Sequence, residues 1–360
     1  MDTYRDNRNR RSSQMNFSDL INTLSTPVLG KLTIIPLLPV LWSCSDIGQM
    51  PYPANDPTKE IPLEIAAVKS PAQNLNTLDL FTFNDDRLAR FDAYLRTEGN
   101  MEDTVRMMSG RGEKIIFACA NSQRDRYDWA DISSLSSLEK INADLEKERR
   151  NALLMTAVDR TRAGSGEPCR LILRPLVCEV LLRSVRCDFT DKAYEGAEIE
   201  DASVYLTNVN AQCSLTAEGT VMPARVMNLG ALSMEDIAEF HDPDLIYRKI
   251  DEDIGKEASE TGISLLCYPN SAIEESPGSP FTRLVIEGCI EGERFWWPID
   301  INRDGSVQNP GLHRNCSYVF DIVIRRKGSR DPDTPIETND IDIKMHIEPW
   351  MEKEGYSVSF

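Results

Sequence analysis

RLVIEGCIEGERFWWPIDI, residues 283–301, is the stretch whose reading decides the fold. Two apolar-rich runs, Arg283–Cys289 and Arg294–Ile301, flank the dipeptide Glu291-Gly292. Two β-prone runs joined by an acidic residue and a glycine read as an antiparallel hairpin with a tight turn. Strand side chains alternate between faces, so the neighbours Trp296 and Trp297 point opposite ways and only one enters a core.

The same punctuation continues on both sides. Downstream, Tyr318–Ile324 alternates as YVFDIVI, and Gly328 to Thr338 forms a polar loop. Ile341–Ile347 alternates again before Trp350, and Tyr356–Phe360 ends the chain. Upstream, strands are expected at Ile263–Tyr268, Ala202–Thr207, Lys114–Ala120, Leu78–Phe83 and Ile61–Val68, with two more inside residues 169–189. Many short strands between turn signals indicate an all-β chain of two antiparallel β-sandwich domains in series. Residues 61–215 form the first sandwich and 216–360 the second. Residues 216–260 read as acidic loop with a short helix starting at Ser233. Ser136-x-x-Glu139 fits a capping box. Behind it Leu138, Ile141, Leu145 and Ala152 recur at helical spacing, which predicts one amphipathic helix from Ser137 to Leu154 packed on the first sandwich.

Ahead of the strands lies LTIIPLLPVLWSCSD, Leu32 to Asp46. Lys31 precedes an apolar run of about ten residues, too short for the roughly 20 that cross a bilayer. A basic flank, a short apolar core and a small residue at its end read as an export signal. Cys44 stands directly behind the run, where a lipobox cysteine is alkylated with diacylglycerol, and Pro36 and Pro39 argue against a core strand. Residues 1–43 are then a lipoprotein signal, with Met15 as an alternative start, and 44–60 a proline-containing polar tether. Lipid at Cys44 would hold the mature chain outside the cytoplasm, tied to a membrane by its acyl chains.

The 360 residues carry a net charge of −18, and loss of residues 1–43 leaves 35 basic against 55 acidic side chains. That surface opposes nucleic acid as a partner, since phosphate binding rests on Lys and Arg. Of nine cysteines, Cys44 is assigned to lipid. Cys119, Cys178, Cys267 and Cys289 sit in apolar runs and read as buried free thiols. His241, His313 and His346 lack metal-ligand spacing, and Asp251-Glu252-Asp253 and Asp331-Pro332-Asp333 lack that of a calcium loop. No nucleophile elbow is present and no cofactor is called for. Catalysis is not expected.

Taken in order, several stretches resemble the fimbrillin family, the lipoprotein-derived type V pilins of Bacteroidales-type anaerobes. They are Cys44, the strand Leu78–Phe83 with its acidic turn, Ile115–Asn121, Leu154-Met155-Thr156 and Cys169–Leu182. The hairpin 283–301, Arg314-Asn315-x-x-Tyr318, Gly328, Asp331-Pro332-Asp333 and Trp350…Val358-x-Phe360 complete the match. The resemblance implies two transthyretin-like sandwiches and a structural adhesion subunit of a fimbrium: shaft, tip or anchor. It implies proteolysis behind the first strand, departure of that strand, and its replacement by the C-terminal strand of another subunit. Ile61–Val68 would leave, and Tyr356, Val358 and Phe360 would form the donor face. Where the family offers an arginine, this chain offers Lys69 before Ser70. Partners would be other fimbrial subunits, the outer membrane through lipid, and a host or bacterial surface ligand. The alternative reading is a monomeric surface lipoprotein binding glycan through Trp296, Trp297 and Trp350.

Overall fold

The structure is a computed structural model that describes residues 60–68, 74–99, 104–123, 126, 127, 129–272, 280–303, 309–334, 336 and 340–350. The first half contains β1 (Glu60–Val68), β2 (Thr77–Asn84), β3 (Phe91–Glu98), β4 (Thr104–Gly110), β5 (Gly112–Ala120), β6 (Asn142–Asp144), β7 (Met155–Ala163), β8 (Cys169–Ile172) and β9 (Arg174–Pro175). Strands β4-β1-β8 make one sheet and β3-β2-β5-β7-β9 another. Leu63 and Ile65 from β1, Met107 from β4 and Leu171 from β8 pack on Leu78, Leu80, Ile116 and Ala118 of the larger sheet. The opposite face of that sheet carries Phe81, Phe83, Ile115 and Phe117, which join Tyr127, Ile132, Leu138 and Leu145 in a second core. Burial on both faces explains the unbroken run IIFACA at 115–120, since a one-sided strand would alternate.

The predicted helix over Ser137–Leu154 is not formed. Helix α1 spans Leu135–Leu138, capped by Ser134 and Ser137 rather than Ser136 and Glu139. The chain then turns extended as β6, which pairs with Gln212–Ser214, and makes a 3-10 turn over Leu145–Lys147. Leu138 and Leu145 are both buried, so their spacing marks two separate anchors of an irregular cover. Tertiary partners override a modest helical preference here. Asp144 accepts from Gln212 Nε2 at 3.1 Å, and buried Glu148 accepts from the Tyr268 hydroxyl at 2.7 Å.

The second half contains β10 (Cys178–Cys187), β11 (Glu200–Thr207), β12 (Val209–Asn210), β13 (Gln212–Ser214), β14 (Val226–Met227), helix α2 (Met234–Glu239), β15 (Tyr247–Lys249), β16 (Ser259–Cys267), β17 (Arg283–Ile290), β18 (Glu293–Asp300), β19 (Cys316–Ile324) and β20 (Ile341–Pro349). Helix α2 starts behind Ser233, whose side chain accepts from the Asp236 amide, as the sequence indicates. Sheets β16-β10-β19-β20 and β15-β11-β17-β18 bury Val180, Leu182, Val204, Leu206, Ile286 and Phe320, which belong to that same second core. The hairpin β17–β18 turns at Glu291 and Gly292, with φ of +53° and +80°, the signs a type I′ turn requires. Trp297 is fully buried, while Trp296 is partly exposed and donates its Nε1 proton to Glu287 Oε2 at 2.9 Å. Gly328 lies so close to β18 that a Cβ would stand 2.2 Å from the Trp296 carbonyl oxygen.

Two expectations need correction. A domain boundary near Leu215 does not match the sheets: β10 and β11 pair with strands from the C-terminal half, so the change of sheets falls between Pro175 and Cys178. The sheets are also not purely antiparallel. β1 runs parallel to β8 and β10 parallel to β19. Period-two patterning reveals a strand and its inward face, but not its partner or direction.

Candidate strand-exchange site

β1 is the central strand of its sheet. It pairs antiparallel with β4 from Glu60 opposite Gly110 to Ala66 opposite Thr104. On its other side it pairs parallel with β8, but only over the four residues Ile65 to Val68. Pro62, which has no amide proton, sits where β1 has a neighbour on one side alone, the position a strand proline tolerates. Inward, Leu63 and Ile65 are buried, while Ile61 and Ala67 are partly covered. Burial of the two larger side chains stabilises β1 by about 1.5–3 kcal/mol each. Outward, Glu64 Oε1 accepts from Arg106 Nε at 2.8 Å, an exposed pair of little energetic weight.

β10 holds the equivalent place in the second sandwich, between antiparallel β16 and parallel β19. Its hold is longer, because β19 follows it from Glu179 to Cys187. Of the two equivalent strands, β1 is therefore the less tightly bound. Removing it would strip β4 and β8 of partners along their facing edges and open the core over Leu78, Leu80, Ile116 and Ala118.

At the far end, β20 lies at the edge of its sheet. Ile343 and Ile347 remain 40% and 44% exposed although they alternate with the outward residues. The strand runs to Pro349, and the Trp350 amide donates to the Asn315 carbonyl at 3.0 Å. Cys44, Lys69, Ser70, Tyr356, Val358 and Phe360 lie outside the described residues.

The three tryptophans do not make a shared platform. Trp297 is in the core, Trp296 is on β18, and Trp350 follows β20 of the other sheet and packs on the core. Two features that position the site were missed in the sequence. β4 was unread because TVRMMSG shows only a short alternation, Val105 and Met107 inward. Arg314 was noted only as part of a pattern. Its buried guanidinium donates to the carbonyls of Arg174 at 2.8 Å and Ala217 at 3.0 Å, and to Thr156 Oγ1 at 3.0 Å. It thereby ties β7 and β9 of the first sandwich to the lead-in of β19. Burial lowers its pKa, yet guanidinium stays charged.

Solved structures share this architecture. A candidate cell adhesion protein from Bacteroides eggerthii superposes with a TM-score of 0.62 at 14% identity, over 82% of this chain and 98% of that one. A fimbrilin from Porphyromonas gingivalis gives 0.57 at 12% identity, over 81% and 98%. The chain has the fimbrilin fold. The tip fimbrial protein Mfa3 of Porphyromonas gingivalis, with a C-terminal truncation, gives 0.50 at 12% identity over 81% and 100%. A fimbrilin and a tip protein share the fold, so the fold does not select one role. No protein-family model and no curated protein sequence matches.

Proposed function

We propose that this chain is a structural subunit of a surface fimbrium and joins its neighbours by strand exchange at the position of β1. The observation that carries this reading is the place of β1: central in its sheet, inserted over a core, and held by β8 along only four residues. A strand that replaces it needs apolar groups at alternate positions to match Ile61, Leu63, Ile65 and Ala67. Tyr356, Val358 and Phe360 alternate in that way, and the unpaired backbone of β4 and β8 would supply the hydrogen bonds.

Cleavage after Lys69 would release β1, and lipid on Cys44 would hold an uncut chain at the outer membrane. A cut chain serves as shaft, and an uncut lipidated one as anchor or terminal subunit. N-terminal sequencing of protein stripped from cell surfaces separates these roles: a start at Ser70 marks a processed shaft subunit, and a blocked, lipid-bearing Cys44 an anchor. Fimbriae unchanged in amount and composition after loss of this gene would refute the structural role. Cys44→Ala should abolish palmitate labelling and release the protein from the membrane fraction. Unchanged partitioning would remove the lipid anchor from the account.

A further inference from the structure

Cys178 opens β10 and Cys267 ends β16, and the two are direct partners in the antiparallel ladder. Their sulfurs lie 3.4 Å apart in the core. Both residues are fully buried. Cys187 and Cys213 instead approach backbone carbonyls.

We propose that Cys178 and Cys267 form a disulfide that staples the edge strand β16 to β10. Directly opposed antiparallel residues have Cα atoms about 4.5–5.5 Å apart, inside the range of about 4.4–6.8 Å that a disulfide spans. Small side-chain rotations then bring the sulfurs to bonding distance. The reaction is thiol–disulfide exchange. One cysteine thiolate attacks the sulfur of a small-molecule or protein disulfide and expels one donor thiolate, and the second cysteine attacks the protein sulfur of the resulting mixed disulfide and expels the other donor thiolate. The S–S bond forms as the donor disulfide is reduced, and the two protons end on its two thiols. Burial pushes the Cys178 thiol well above its ordinary range, so exchange belongs to the folding chain or to moments when β16 opens. An edge strand can do that without unfolding the sheet.

Cys316 flanks Cys178 on the other side. It begins β19 one residue before the registered pair Glu179 and Ser317, and is only partly buried. It is the natural competitor for Cys178. Among the described residues no cluster of three or more His, Cys, Asp or Glu side chains could hold a metal ion.

The bond is independent of strand exchange and can be tested on the monomer. The full chain would be taken through mild denaturant in a glutathione and glutathione disulfide buffer, returned to native conditions, then alkylated in strong denaturant and mapped by mass spectrometry. A cross-linked peptide joining Cys178 to Cys267, with two fewer alkylated thiols and a melting temperature that rises on oxidation and falls back with reductant, supports the staple. Cys187→Ser should keep the cross-link, and Cys178→Ser should lose it. Should Cys178→Ser not fold, the wild-type map decides alone. Alkylation of both Cys178 and Cys267 after this treatment, or a dominant cross-link from Cys178 to Cys316, overturns the proposal.

Discussion

Arg314 Nη2 donates to Thr156 Oγ1 at 3.0 Å, across 158 positions of sequence. The same guanidinium holds the Arg174 and Ala217 carbonyls. One side chain thus fastens the strands that end the first sandwich to the start of β19 in the second. Hydrogen bonds from a charged donor contribute about 1.5–3 kcal/mol each.

Arg314→Ala should therefore lower the unfolding free energy by about 2–4 kcal/mol. Arg314→Lys should recover less than half of that, because an ammonium cannot reproduce the planar fork. Urea denaturation followed by tryptophan fluorescence reads both values. A loss below about 0.5 kcal/mol, the level of ordinary surface substitutions, would show that the clamp carries no weight.

Glu148 adds a second tie, accepting from the Tyr268 hydroxyl at 2.7 Å and from the Leu154 amide at 3.1 Å. Burial raises its carboxyl pKa above the ordinary 4.5, against the opposing pull of Arg126 and these two donors. A raised folded-state pKa means that the folded chain holds the proton more tightly than the unfolded one. The stability linked to that proton is full below pH 4.5 and is lost as pH rises through the folded-state value. Glu148→Gln removes this titration. The difference in melting temperature between wild type and Glu148→Gln should thus move in favour of the variant as pH rises from 4.5 into the weakly acid range. A difference constant over that range would show that Glu148 does not titrate differently on folding.

Leu145→Ala should cost about 2–5 kcal/mol, the usual loss for a buried leucine. Lys147→Ala should cost within about 0.5 kcal/mol, since it removes only an exposed ion pair with Asp144. Comparison of their thermal melts checks the pair. Equal shifts would mean that the 3-10 turn over Leu145–Lys147 is not anchored in the core.

That turn shows where sequence stops being informative. Leu138 and Leu145 are as buried as a helix would make them, yet the backbone between them pairs with Gln212–Ser214, which lies about seventy positions away and leaves no local signal. The hairpin β17–β18 was legible because its partners are neighbours and its turn demands positive φ at Glu291 and Gly292. β10 was legible as a strand from Cys178, Val180 and Leu182, but its membership of the second sandwich depends on Leu265 and Tyr318 opposite Val180. The strand at Ile61–Val68 was readable, whereas its central position required β4 and β8. A pattern of period two can name the inward side chains of a strand and remain silent on who sits beside it.

Strand exchange of the proposed kind requires residues 356–360 to serve another subunit. Deletion of residues 356–360 tests it most directly, with melting of the purified monomer and recovery in the fimbrial fraction measured side by side. The account predicts a truncated chain that melts close to the full-length protein and is absent from filaments. A chain that fails to fold without these five residues, or one that enters filaments as readily as the intact protein, would contradict it.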